Sequence, residues 1–252
     1  MKKLGIIGYG WLGSRIAEYF SLQYNIFATT TTPAKADMMK KKGYFPTLAG
    51  FGENADSGQT EWEPAKDLDA IIIAVPFSGL RNPDVSMVGK RTNLLKFLGD
   101  YKGQIIFTSS TGVYPNTEKE FTEDDLPACE TESERFILEK FLQTNILRLG
   151  GLMGDERLLK NFRCSNPEQL VNYIHYTDIC RVIDIMLKNK IGSKVYNLVA
   201  PLHPNKEEVL RAQQGLSYSG IRADKGRIIS SEKLIKELDF EFQYADPRYF
   251  HL

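Results

Sequence analysis

A glycine-spaced turn at the end of the first apolar run constrains this 252-residue chain more than any other feature. Leu4–Ile7 reads as a short strand. Gly8-Tyr9-Gly10-Trp11-Leu12-Gly13 follows it, and Trp11–Phe20 repeats Leu12, Ile16 and Phe20 at four-residue steps, as an amphipathic helix does. Each glycine has a physical task in such a strand–turn–helix unit. Gly8 permits the tight turn, Gly10 lets the backbone approach a pyrophosphate, and Gly13 lets helix and strand pack closely. With Trp11 and Leu12 completing the turn, phosphates would meet unpaired N–H groups at the positive end of the helix. The spacing therefore predicts a dinucleotide-binding unit.

The same rhythm continues. Asn25–Thr30 reads as a second strand and Ala34–Lys42 as a charged helix behind Pro33. Ala70–Val75 is an unbroken apolar run, as in a central strand covered on both faces. A helix around Asn93–Leu98, a strand at Gln104–Thr108, a helix at Glu132–Leu142 and a strand at Asn145–Leu149 complete the alternation. Right-handed crossovers then imply an α/β fold, a Rossmann-type doubly wound parallel sheet. Past Gly150 the rhythm loosens into helices at Thr177–Leu187, Pro204–Ala212 and Ser231–Leu238 and a strand at Lys194–Val199. We expect residues 1–150 to form the dinucleotide-binding domain. Residues 151–252 should form a small C-terminal α+β lobe for substrate or partner, partly interwoven with the first. Gly50–Gly58 collects loop-forming residues.

Charge narrows the partners. Lysine plus arginine balance aspartate plus glutamate at 32 each, which argues against nucleic acid and membrane surfaces. No run approaches the ~20 apolar residues of a membrane span, and MKKLGIIG runs into a polar segment without a cleavage site, so the expected location is the cytoplasm. Cys129, Cys164 and Cys180 lack ligand spacing and read as reduced thiols, with no metal expected.

The end of the second strand bears on the choice of dinucleotide. NAD sites usually place an acid there for the ribose hydroxyls. Here the stretch is Ala28-Thr29-Thr30-Thr31-Thr32-Pro33, without an acid. Thr30, Thr31 and Lys35 would suit a 2′-phosphate, so the charge logic leans to NADP over NAD. Val75 and Pro76 end the next strand, where such folds pass the cofactor, and Pro76 and Gly79 would turn the chain over it. Phe77 reads equally well as core.

Four segments occur in a telling order: the glycine turn, Thr108-Ser109-Ser110-Thr111-Gly112-Val113-Tyr114, Ile146-Leu147-Arg148-Leu149-Gly150, and Asn172-Tyr173-Ile174-His175-Tyr176-Thr177-Asp178. In this order the chain resembles the extended and atypical short-chain dehydrogenase/reductases, a group similar to nucleotide-sugar epimerases and dehydratases. Val195-Tyr196-Asn197-Leu198-Val199 looks like their later strand. The resemblance implies a nicotinamide cofactor touched by Ser109, and Ser110 as the residue that polarises a substrate carbonyl or alcohol. It also implies a Tyr-x-x-x-Lys pair near the next helix. At the corresponding offset from Tyr114 stand Ser133 and Ile137, and Lys140 is displaced by nearly a turn. Loss of a general acid or base costs ~10²–10⁴ in rate. Tyr114, Arg135, Glu134 and Glu132 are the candidate replacement acids, and Tyr114, beside Ser110 on one loop, is preferred among them; its competing reading is an aromatic packed on Pro115.

Three readings follow. One is an atypical NAD(P)-dependent oxidoreductase or epimerase-like enzyme with an unidentified small-molecule substrate. Another is a silent NADP(H)-binding sensor that acts through a protein partner. The third is a scaffold whose glycine turn no longer binds any nucleotide. His175 and Asp178 read as an architectural junction, since no nucleophile lies near them in sequence. The segment from Ser217 to Arg227 carries three cations that suit an anionic substrate, or is an exposed loop. Phe240–Tyr244 alternates like an edge strand. The aromatic tail fits docking onto the body or onto a second copy in a homo-oligomer.

Overall fold

The structure is a computed structural model that describes residues 1–52, 60–77, 87–218, 220 and 226–252. Its frame is a seven-stranded sheet with the strand order β10-β7-β5-β4-β1-β2-β3. In chain order the elements are β1 (Lys2–Ile7), α1 (Trp11–Phe20), β2 (Tyr24–Thr30), α2 (Pro33–Lys41), β3 (Phe45–Leu48), β4 (Ala70–Ile73), α3 (Met87–Leu98), β5 (Gln104–Ser110), β6 (Glu120–Phe121) and α4 (Glu132–Lys140). There follow β7 (Asn145–Leu149), β8 (Gly151–Met153), β9 (Tyr173–His175), α5 (Tyr176–Lys188), β10 (Val195–Leu198), α6 (Lys206–Gln213), β11 (Ile228–Ile229) and α7 (Glu232–Leu238). Strand order runs outward in both directions from β1 and β4, so the sheet is doubly wound. The carboxyl ends of those two strands flank its switch point, where open α/β sheets bind ligands.

The chain divides into two compact units. One comprises Met1–Ser109, Ala128–Ile146 and Met186–Lys194; the other comprises Ser110–Pro127, Leu147–Ile185 and Val195–Leu252. In the first, β1 pairs in parallel with β2 and β4, β2 with β3, and β4 with β5. The apolar runs are buried on both faces: Leu4, Ile6, Ile71, Ile72, Ile73, Ile105 and Ile106. Ile16 and Phe20 of α1 are buried with them, as the four-residue spacing predicts. Trp62 stacks on Phe97 at 5.3 Å and donates to Thr47 Oγ1. The sequence pattern missed β3, because Pro46 interrupts it. A proline is tolerated there because β3 is an edge strand. Phe77 is core, packed between Phe107 and Phe136.

The second unit holds two short parallel pairs, β6–β11 and β8–β9. Its helix α6 is closed by a capping box in which Asn205 Oδ1 accepts from Glu208 N and Glu208 Oε2 accepts from Asn205 N. Phe240–Tyr244 forms no strand, against the alternation in its sequence. Asp178, fully buried, accepts the backbone N–H groups of Gln243 and Tyr244, which binds the tail to α5 in place of a ladder. The tail thus docks within its own unit, with Tyr244 stacked on His175 at 3.7 Å. Asp178 does not hold the His175 tautomer; His175 Nδ1 accepts from Thr177 N, which leaves the proton on Nε2. Residues 53–58 of the glycine-rich loop, Ser78 and Gly79 after β4, and positions 219 and 221–225 of the cationic segment lie outside the described residues.

Candidate functional site

The glycine turn is built as its spacing requires. Gly8 sits at φ +103°, and a Cβ there would come 2.6 Å from Val75 Cγ2. A Cβ on Gly13 would lie 2.0 Å from the Gly8 carbonyl oxygen. Around Gly10 no atom of the described residues lies within 4 Å of such a Cβ, so the backbone there is open. Thr29, absent from the sequence-based site, locks the turn. Its Oγ1 accepts from Gly8 N at 2.9 Å and its carbonyl from Tyr9 N at 2.8 Å. Its signal was a buried hydroxyl at the strand end, indistinguishable in sequence from its threonine neighbours. Helix α1 begins at Trp11 with no capping side chain and no acid in its first turn. The Arg15 guanidinium lies 4.0 Å from the centre of the Trp11 ring and donates to the Trp11 carbonyl, a cation the strand-end argument did not include.

At the end of β2, Thr30 is buried and its Oγ1 accepts from Thr32 N, while Thr31 and Lys35 are exposed. Beyond β4, Val75 is half-buried and Pro76 exposed, and the Pro76 carbonyl accepts from Lys90 Nζ at 2.6 Å.

Ser109, near the end of β5, donates its hydroxyl to Glu134 Oε1 at 2.6 Å. Glu134 is fully buried, and its second oxygen accepts from Thr131 Oγ1 at 3.0 Å. Glu134 on α4, one of the candidate replacement acids, is thus held by the hydroxyls of Ser109 and Thr131. Ile137 is fully buried and carries no charge to the site, and Lys140 is exposed and donates to the Leu95 carbonyl.

In the second unit Ser110 is exposed, and its Oγ accepts from Gly112 N at 3.1 Å, capping the turn Thr111–Val113. Tyr114 is 4% exposed. Its hydroxyl donates to Asn197 Oδ1 at 2.9 Å and accepts from Arg148 Nη1 at 2.7 Å. Arg148 is fully buried and also donates to the Leu126 carbonyl. Asn197 completes the set, giving its side-chain amide to the Ser230 carbonyl and its backbone N–H to Glu123 Oε1. Burial pushes the Tyr114 phenol up, against the opposing pull of Arg148, so the group is neutral at physiological pH. Burial likewise pushes the Glu123 carboxyl up. Arg148 and Asn197 were legible as parts of motifs, but nothing in the sequence paired either with Tyr114. Among the described residues no group of His, Cys, Asp and Glu could hold a metal ion.

The fold is a Rossmann-type α/β fold, and solved structures that share it are named as epimerases, dehydratases and reductases. The chain superimposes on a UDP-glucuronic acid 4-epimerase from Bacillus cereus, solved with NAD, with a TM-score of 0.73 at 15% identity, covering 99% of this chain and 94% of that one. It matches yeast methylglyoxal/isovaleraldehyde reductase, solved with NADPH, with a TM-score of 0.72 at 15% identity, covering 96% and 94%. In sequence it is 28% identical to protein YeeZ of Escherichia coli (strain K12) over 268 aligned positions, 98% of each chain. No known family profile matches the chain. Among the described residues no helix is long and apolar enough to cross a membrane.

Proposed function

We propose that this protein binds a nicotinamide dinucleotide at the Gly8–Gly13 turn and is an atypical NAD(P)-dependent oxidoreductase or epimerase-like enzyme. The observation that carries the reading is the contrast within the turn: Gly8 and Gly13 are closed by neighbouring atoms, and Gly10 alone faces open space. That is the arrangement a pyrophosphate needs to reach the uncapped start of α1. NAD and NADPH stand in the names of similarly folded proteins, which supports the class of cofactor. The acid-free end of β2, with Thr31 and Lys35 exposed, favours NADP. When bound, a nicotinamide supplies a site that accepts or gives a hydride. The chain's own part is to hold the dinucleotide and to present the exposed Ser110 hydroxyl to a substrate carbonyl or alcohol. Tyr114 stands behind Ser110 on the same loop, and its neutral phenol is the candidate proton donor.

The alternative is a silent NADP(H) sensor that acts through a protein partner, placed with the enzyme reading in the cytoplasm. It is favoured by one observation: buried Ile137 stands where an activating lysine is expected. Calorimetric titration with NADPH, NADH, NADP and NAD tests the shared premise. Tight binding of a phosphorylated form is the expected result; no binding of any of the four at millimolar concentration would overturn both readings. A substrate screen with a Ser110→Ala control then separates enzyme from sensor.

A further inference from the structure

A cavity lies within the second unit. Its volume is about 270 Å³, and its walls include Asn116, Thr117, Asn166, Gln169, Asn172 and Arg227. Side-chain amides and a hydroxyl are unusual company for one another in such density, and they suit a ligand rich in hydroxyls. The side chains of Asn116, Thr117 and Asn166 make no hydrogen bond among the described residues and are exposed at the wall. Asn172 is different. Its Nδ2 donates to the Arg227 carbonyl at 2.9 Å and its Oδ1 accepts from Ile229 N at 2.8 Å, so it clamps the backbone that carries Arg227.

Arg227 gives the cavity its charge. One guanidinium nitrogen, Nη2, donates to the carbonyl of Thr111, the residue that follows Ser110. Its Nε–H is buried and has no partner among the described residues. A guanidinium in the cavity wall is always charged and favours an anion beside it. A second cation stands near: Lys206 Nζ donates to Gln169 Oε1 at 2.6 Å. Glu118 on the opposite wall is exposed and offsets part of this charge.

We propose that this cavity binds a monosaccharide-sized hydroxy acid, with its anionic group on Arg227 and its hydroxyls on Asn116, Thr117 and Asn166. The size argues for a single sugar-acid unit, since the volume falls just short of the ~300–1,000 Å³ of ordinary small-molecule sites. A nucleotide diphosphate sugar exceeds it. Arg227 is bonded to the carbonyl of Thr111, which follows in the chain the Ser110 proposed above to face substrate. The inference rests on the oxidoreductase or epimerase reading for why such an acid is turned over, but its binding requires no dinucleotide.

Ligand-detected NMR on the full chain, without dinucleotide, tests it with D-glucuronate, D-glucose and UDP-glucuronate. D-Glucuronate is expected to bind with Kd on the order of 1 mM, as a ligand of that size does at ordinary efficiency per atom. D-Glucose, lacking the carboxylate, should bind about tenfold more weakly or worse. Arg227→Gln should weaken D-glucuronate by about tenfold. Since Arg227 also anchors Thr111, Asn166→Asp provides an independent variant on an exposed position whose φ of +53° an aspartate tolerates. It should weaken D-glucuronate roughly threefold to tenfold by like-charge repulsion and leave D-glucose unchanged. Equal binding of D-glucuronate and D-glucose, no binding of D-glucuronate at tens of millimolar, or indifference to both variants overturns the proposal. So does binding of UDP-glucuronate about a hundredfold tighter with the same variant sensitivity, which would make the cavity one end of a nucleotide-sugar site. Failure of the dinucleotide titration with D-glucuronate binding intact would strike the cofactor reading alone.

Discussion

At the glycine turn of the first unit, the start of α1 carries no capping side chain, and the backbone around Gly10 stands open. Around Tyr114 in the second unit, phenol, guanidinium, amide and carboxylate are buried and paired with one another. The first region keeps donors available, and the second uses them to hold the chain. The difference is set by the environment of each polar group. A backbone N–H near solvent waits at little cost, whereas a buried polar group without a partner costs ~1–3 kcal/mol or more. Open donors therefore mark where a ligand is expected and closed ones hold structure; Tyr114 is the closed group for which the motif also suggests chemistry. The two adjacent serines of β5 show the same contrast on a smaller scale. The Ser109 hydroxyl is held by a buried carboxylate, and Ser110 remains exposed.

The largest effect that would break this comparison lies in the closed region. Arg148→Ala removes the donor to Tyr114 and Leu126 from a fully buried position, and we expect a loss of about 3–5 kcal/mol in urea denaturation. A loss under 1 kcal/mol would mean that the cluster is not what holds the second unit. Next comes Gly10→Ala, whose added methyl meets no atom of the described residues within 4 Å. Its melting temperature should stay near that of the parent while dinucleotide affinity falls roughly 100-fold, about 2.7 kcal/mol. Unchanged affinity on calorimetry would show that no phosphate approaches that backbone.

Tyr114→Phe sharpens the contrast further, because it removes one hydroxyl and keeps the ring. As an anchor, the phenol should contribute about 1–3 kcal/mol to unfolding free energy. As the proton donor, its removal should also cut turnover ~10²–10⁴-fold once a substrate is in hand. Loss of stability with turnover intact assigns it to the fold alone.

The smallest effect is in the pH dependence. Burial raises the Glu123 carboxyl above its unfolded value, so its contribution favours the folded state at low pH and is lost as pH rises through the raised value. Glu123→Gln should therefore gain stability relative to the parent as pH rises through the raised value of the carboxyl. A variant that instead loses ground with rising pH would show that Arg148 and Lys233 outweigh the burial of the carboxyl.

Much of the fold was legible in the sequence because it is written in local terms. Apolar runs of strand length, four-residue helical spacing and the glycine turn each depend on neighbours a few residues apart, and β1, α1, β4 and β5 lie close to where those patterns put them. The strands that escaped were β3, broken by Pro46, and the two- and three-residue strands of the second unit, too short to show a period. In the site, the tight turn at Gly8 and the close packing at Gly13 were readable, because neither leaves room for a side chain. The tail misled for a definite reason. Alternation at Phe240–Tyr244 suited a strand, but Asp178, more than sixty positions earlier, takes the amides a ladder would need.

The sequence by itself determined the doubly wound α/β class, the dinucleotide-type turn and the absence of a lysine at the expected offset, since periodicity, glycine spacing and residue identity are properties of the chain. Only the tertiary structure decided which polar groups meet. That Glu134 receives Ser109, that Arg148 and Asn197 enclose the Tyr114 phenol, and that Arg227 reaches Thr111 are pairings across 25 to 116 residues. No pattern in the chain encodes them, because desolvation leaves buried polar groups to be satisfied by whichever partner the packed fold brings within reach.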